Sequence, residues 1–157
     1  MESRAVKCAT QNAEQLGLAK QFTAVQADLF PPNETFDRII FNAPWVPVAP
    51  ETRLDRAVFD EGGDTLCRWL LGVAERLNPG GEAGLILSDL PERLGLRSAG
   101  WLEGKMQHAG LKLVGRRVLA ARHGKSQNRR DPFYEVRKEE QIYLYRLVPE
   151  NQRELHP

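Results

Sequence analysis

Two periods of apolar residues alternate along this chain. Over residues 3–16, Ala5, Val6, Ala9, Ala13 and Leu16 recur at helical spacing, with Ser3 placed to cap the start and Gly17 to close the end. Residues 22–27 switch to a strand pattern, with Phe22 and Ala24 alternating against Thr23 and Val25, and Pro31-Pro32 follow. Residues 36–41 finish in the run Ile39-Ile40-Phe41, which reads as a buried strand of a parallel sheet. A helical stripe returns with Leu66, Trp69, Leu70, Val73, Ala74 and Leu77; Asp64 can cap it and Asn78-Pro79-Gly80-Gly81 ends it. Residues 83–87 are a second fully apolar strand, closing at Ser88-Asp89. A helix follows over 98–109, with Trp101, Leu102, Met106 and Ala109 on one face. Residues 111–121 read as a strand with a bend or bulge at Gly115. After a polar, basic loop over 123–138, residues 141–147 set Ile142, Leu144 and Arg146 against Tyr143, Tyr145 and Leu147.

The order is α β β α β α β β. Alternating helices and strands predict a doubly wound α/β sheet. The last two strands have no helix between them, so they form an antiparallel hairpin at its edge, with one strand reversed. The pattern gives one domain over 1–148 and a frayed tail over 149–157.

Composition narrows the class. The 157 residues carry 22 Lys and Arg against 21 Asp and Glu, a net charge of +1, so no global field draws the chain to nucleic acid or membrane. No apolar run reaches membrane-spanning length, and Met1-Glu2-Ser3-Arg4 opens straight into the helical pattern without a signal peptide. The two cysteines, Cys8 and Cys67, lie far apart on helical patterns; they read as buried small hydrophobes in a reducing cytoplasm, with no metal site.

The chemistry gathers at two strand ends. The strand over 36–41 runs into Asn42-Ala43-Pro44-Trp45-Val46-Pro47: a carboxamide, a stiffened turn and a large ring at a carboxyl edge, where open α/β sheets bind ligands. The strand over 22–27 runs into Asp28-Leu29-Phe30. Between Ala43 and Gly63 lies a long connection with three prolines and a Gly62-Gly63 pair. That pair reads as a turn leading into a helix, with an anion cradle as the alternative. Trp69 and Trp101 fall on helical stripes and read as core.

This order, with Asp28-Leu29-Phe30 and Asn42-Ala43-Pro44-Trp45 on consecutive strand ends, resembles the class I S-adenosylmethionine-dependent methyltransferases. More narrowly it looks like the branch with an Asn-Pro-Pro-Tyr-type motif, which holds the release-factor glutamine methyltransferases and the small-domain ribosomal RNA methyltransferases. Val46-Pro47 and Phe59-Asp60-Glu61-Gly62-Gly63-Asp64-Thr65-Leu66 look most like the release-factor enzymes. The resemblance covers about residues 3–147. It implies a Rossmann-like methyltransferase sheet with helices on both faces and an antiparallel edge hairpin, truncated at the N-terminus, with the first two strands and the Gly-rich turn absent. The strand over 36–41 would then expose an edge, to be closed by residues 22–27 or by a second copy of the chain; self-association is the expectation.

The resemblance also implies roles. Asn42 and the carbonyl of Ala43 would accept the two N–H protons of an amide or amine, Pro44 would stiffen the turn, and Trp45 would stack on the planar group. Asp28 would take the adenine amino group of S-adenosylmethionine and the Leu29 main chain its ring nitrogen. Ala43 stands where the family usually has proline. The implied activity is transfer of a methyl group to an amide or amine nitrogen of a protein or RNA substrate, with a ribosome or release-factor link. A chain without the Gly-rich turn is expected to bind the cofactor weakly and to be poorly active alone. The alternative is a non-catalytic RNA- or protein-binding module on the same scaffold, using the basic run Arg122-His123-Gly124-Lys125-Ser126-Gln127-Asn128-Arg129-Arg130.

Overall fold

The structure, a computed structural model, describes residues 3–44, 46, 59–122, 124–130 and 134–151. They divide into two compact units, 1–35 and 36–157, at a boundary that the sequence pattern did not suggest.

The first unit holds helix α1 (Ser3–Gln15). Its end is set by Gly17, which adopts a φ of 70°. The Leu18 amide donates to the Ala13 carbonyl at 2.8 Å and the Gly17 amide to Glu14 at 3.0 Å, the paired bonds of a Schellman stop. Ala13 is buried, whereas Leu16 is 72% exposed. Cys8 is exposed as well, which corrects its expected role as a buried small hydrophobe. The strand expected over 22–27 does not form. Phe22 and Val25 stay exposed, and among the described residues no strand pairs with this segment. An alternating pattern becomes a strand only when a ladder partner takes its backbone groups.

The second unit is a four-stranded sheet. Its strands are β1 (Phe36–Asn42), β2 (Leu77–Ser88), β3 (Leu111–Ala120) and β4 (Gln141–Pro149), in the order β1-β2-β4-β3. β1 and β2 are parallel; β4 runs antiparallel to both β2 and β3. The hairpin therefore stands at the sheet edge as expected, but its reversed strand β4 is the inner member, and β3 takes the edge. Between the strands lie α2 (Asp64–Val73), α3 (Leu90–Arg93), α4 (Trp101–His108), α5 (Gly124–Gln127) and α6 (Tyr134–Arg137). The last two are short helical turns inside the stretch read as a polar loop.

One sheet face carries the core. Ala83, Leu85 and Leu87 of β2 and Tyr145 and Leu147 of β4 are buried with Leu66, Trp69, Leu70 and Val73 of α2 and Leu102 and Met106 of α4. Phe41 stacks on Trp69 with centroids 5.1 Å apart. The opposite face is more open: Ile40 is 71% and Leu119 70% exposed, and Glu82 and Arg146 form a bidentate pair there at 2.7 and 2.8 Å.

β1 lies at the other edge, so its apolar run is not the fully buried strand that its composition suggested. Residues 78–81, read as the stop of a helix, instead open β2. The α-helix ends at Val73, a 3-10 turn carries the chain to Arg76, and β2 begins at Leu77. The register jumps from Phe36↔Leu77 to Arg38↔Glu82, leaving 78–81 as a bulge. Gly81 is obligatory there: a Cβ would lie 2.9 Å from the Asn78 carbonyl and 3.1 Å from those of Phe36 and Asp37. Asn78 Nδ2 donates to Asp37 Oδ1 at 2.8 Å and ties the bulge to β1. On the far side the bend expected at Gly115 is a bulge, with the register shifting between Leu113 and Gly115.

Candidate functional site

β1 delivers Asn42 to its carboxyl end, where the residue is exposed. The Ala43 amide donates to the Ile86 carbonyl of β2 at 3.3 Å, carrying the ladder one residue past the strand. Ala43 and Pro44 are buried. The turn is thus anchored on its apolar side and presents its carboxamide outward. Trp45, the expected stacking ring, lies outside the described residues.

The chain returns beside the point where it left. Val46 and Phe59 form a parallel bridge, and the Asp60 amide donates to the Val46 carbonyl at 2.8 Å. Asp60 then starts helix α2 from a distance. Its carboxylate, only 5% exposed, accepts the Thr65 amide at Oδ1 (2.8 Å) and the Leu66 amide at Oδ2 (3.0 Å). An N-cap side chain ordinarily does this; here the N-cap position is Gly63, with a φ of 76°, and Gly62 is also left-handed at 64°. The glycine pair folds the chain so that an acid three residues earlier reaches the first turn. The expected cap, Asp64, is the first helical residue and pairs loosely with Arg68 at 3.9 Å. The Gly63 amide is bound to the Asp60 carbonyl at 2.9 Å and the Asp64 amide to Glu61. With those amides engaged the pair serves as the turn into the helix.

Next to this turn is a cavity of about 310 Å3, bounded by Pro44, Asp60, the glycine pair and the segment that leads into α4. Arg97 holds its far wall. Its guanidinium donates to both Glu92 oxygens, at 2.6 and 2.9 Å, and to the Ser88 carbonyl at 3.3 Å. It also sits 5.4 Å from the Trp101 ring centroid, with Lys105 at 5.5 Å. Trp101 is therefore a half-buried cavity wall, whereas Trp69 is core. Sequence reasoning read Trp101 as core, took Asp60 only as part of the 59–66 motif and did not single out Arg97. The signal for Asp60 was available: a Gly-Gly pair just before a helix moves the capping acid upstream of it.

The end of β2 is built from buried polar groups. Ser88 Oγ donates to Glu140 Oε1 at 2.6 Å and accepts the Leu90 amide at 3.0 Å. Asp89 Oδ1 accepts the Gln141 amide at 2.8 Å. These bonds lock β2 to β4 at the edge that carries Asn42. Burial raises the Cys67 thiol above its usual range and pushes the Tyr145 phenol up to about 12.

Asp28 and Leu29 belong to the first unit. The Phe30 amide donates to the Asp28 carbonyl at 2.8 Å, and Leu29 carries a φ of 65°, so these residues form a tight three-residue turn. A positive φ in a branched residue is uncommon and concentrates at functional turns. For a cofactor the fit is partial. An exposed Asp28 carboxylate can accept the amino group of an adenine, and Leu29 beside it is part-exposed. Ahead of them the sequence holds one glycine, Gly17, and it closes α1.

Of the basic run, Arg122, Arg129 and Arg130 are exposed; His123 lies outside the described residues. Among the described residues no cluster of three metal-ligating side chains occurs, and no helix is long and apolar enough to cross a membrane.

No family model matches the chain, and no curated protein does. Solved structures do. TrmN from Thermus thermophilus is similar over 94% of this chain and 34% of its own, at 17% identity and a TM-score of 0.51. The mitomycin 7-O-methyltransferase MmcR matches over 94% and 40%, at 13% identity and a TM-score of 0.58. An S-adenosylmethionine-dependent methyltransferase from Geobacter sulfurreducens, in complex with S-adenosyl-L-homocysteine, matches over 95% and 73%, at 13% identity and a TM-score of 0.53. The chain spans about a third of the length of TrmN. At these identities the likeness establishes the fold: a Rossmann-like α/β sheet of the methyltransferase kind.

Proposed function

We propose that this chain serves in S-adenosylmethionine-dependent methyl transfer to an amide or amine nitrogen of a protein or RNA substrate, of the kind that the Asn-Pro-Pro-Tyr-type enzymes perform. The observation that supports it best is the Asn42-Ala43-Pro44 turn. Its Asn42 is exposed at the carboxyl end of β1, and the Ala43 amide pins the turn to β2. The neighbours do not choose the acceptor atom, since one is named for an oxygen acceptor. The turn's own chemistry favours nitrogen: a planar amide or amine has two N–H donors, and Asn42 Oδ1 with the Ala43 carbonyl supplies two acceptors. Such a pair orients the nitrogen lone pair and offsets the charge that grows on the nitrogen as it is alkylated. No general base is required of this chain.

The cofactor, when bound, supplies the methyl group on a sulfonium. This chain's own part is the adenine edge at Asp28 and Leu29 and the acceptor turn. The polypeptide alone therefore binds the cofactor weakly and turns over poorly.

The test pairs a titration with an assay. Calorimetry with S-adenosylhomocysteine should show binding weaker than micromolar, reduced further in Asp28→Ala. Transfer of labelled methyl groups from S-adenosylmethionine to a glutamine-containing peptide or to ribosomal RNA should be slow, and absent in Asn42→Ala. Transfer that persists in Asn42→Ala would sink the acceptor role. The non-catalytic reading, with Arg122, Arg129 and Arg130 on RNA phosphates, predicts instead a salt-dependent RNA affinity that Asn42→Ala does not alter.

A further inference from the structure

Much of the polar lining of the cavity beside the acceptor turn is already engaged. Both Asp60 oxygens hold helix amides, the Gly63 amide is bound within the turn, and Arg97 gives Nε and Nη2 to Glu92 and Ser88. The apolar surfaces left to meet a ligand are Pro44, Leu66, Leu96 and the Trp101 ring, beside Ser98 and the rest of the Arg97 guanidinium. About 310 Å3 is near the small end of ligand sites, and with this lining it suits an apolar side chain.

We infer that this cavity is a specificity pocket for a polypeptide substrate and receives an apolar side chain next to the residue whose amide meets Asn42. The assignment to a neighbouring substrate residue rests on the proposed amide acceptor; the binding itself does not. Pro44 belongs to both sites, so a side chain in the cavity fixes the register of the polypeptide at the turn. Trp101 is the recognition surface, oriented by the cations of Arg97 and Lys105. Gly63 sets the depth: a Cβ there would lie 2.9 Å from the Trp101 ring edge, so any other residue drives the indole into the cavity.

The test follows the Trp101 indole N–H resonance of the intact chain, assigned with Trp101→Phe. The probes are N-acetylphenylalaninamide and, separately, adenosine monophosphate. The amide should shift the resonance saturably and the nucleotide should not. Ser98→Trp fills the cavity from an exposed position and should weaken amide binding by roughly tenfold or more. Leu96→Glu, also exposed, puts a carboxylate on the rim and should weaken it likewise. Amide binding is read at Trp101 and the acceptor role by methyl transfer in Asn42→Ala, so failure of the acceptor role and failure of the pocket are read separately. Three results would overturn the inference: no saturable shift with the amide, a shift that survives both Ser98→Trp and Leu96→Glu, or a nucleotide that binds as well as the amide.

Discussion

β2 has neighbours on both of its edges and β1 on one, and their apolar residues fare accordingly. Ala83 and Leu85 are fully buried, whereas Ile39 and Phe41, their partners on β1, are only partly buried, and Ile40, paired with Gly84 on the open face, is 71% exposed. Both strands end in polar chemistry, but of different kinds. β2 ends in a buried bond, Ser88 to Glu140, and a part-buried one, Asp89 to Gln141, that tie strand to strand. β1 ends in an exposed carboxamide on an anchored turn. Burial on both sides makes β2 the strand that holds the sheet, and partial exposure makes β1 the strand that can present a group to a ligand.

The largest test of that division is truncation of one apolar residue on each strand. Leu85→Ala removes a wholly buried side chain packed under α2 and should cost about 2–5 kcal/mol. Ile40→Ala removes one that is mostly in water and should change stability by no more than about 0.5 kcal/mol. Urea denaturation of the two variants reads the difference directly. Equal losses would mean that Ile40 is covered in solution by a further strand or a second copy of the chain.

The bulge where the two strands meet gives the next effect. Gly81→Ala puts a Cβ against three backbone carbonyls that belong to both strands. The expected loss is about 1–3 kcal/mol, the usual result of overpacking a rigid site. Hydrogen exchange locates it: the amides of Ile39 to Phe41 should lose protection first, and those that pair β2 with β4 should hold.

Asp60 and Asp64 compare the observed helix start with the one that spacing suggests. Asp60→Ala strips two amides of their acceptor and leaves them buried, which should lower stability by about 1–2 kcal/mol. Asp64 is exposed and caps nothing, so Asp64→Ala should stay within about 0.5 kcal/mol. Thermal melts of the pair decide it. Because Asp60 also bounds the cavity, loss of the cap should blunt amide binding as well.

These contrasts mark what could be read from the residues alone. Core helix α2, the apolar strand β2 and the edge hairpin were legible because each is fixed by its own periodicity. Phe22 to Ala27 shows the opposite case: alternation describes a strand's faces, and the pairing that makes it a strand depends on a partner elsewhere. β1 was misread as buried for the same reason, since Ile39-Ile40-Phe41 is equally apolar at an edge or in the middle of a sheet. The turn at Asn42 was legible as a strand end because Pro44 cannot extend a ladder. The cavity was not, since Arg97 and Trp101 are over fifty residues beyond Asn42 and meet its turn only through the fold.

The smallest contrast lies on the open sheet face. Arg146 hydrogen-bonds Glu82 and holds its carboxyl below the usual range. The folded-state value is the lower one, so the pair's contribution is complete above the unfolded carboxyl range and is lost as pH falls through the folded value. Glu82→Gln should therefore lower the melting temperature slightly at neutral pH, and the gap from the parent should close in acid. Arg146 is half exposed, so salt should shrink the gap too. Were a further layer of protein to cover this face, the pair would be desolvated and the gap would widen and resist salt. The same measurement thus asks, from the open face, what Ile40→Ala asks from β1: whether this side of the sheet meets water or a partner.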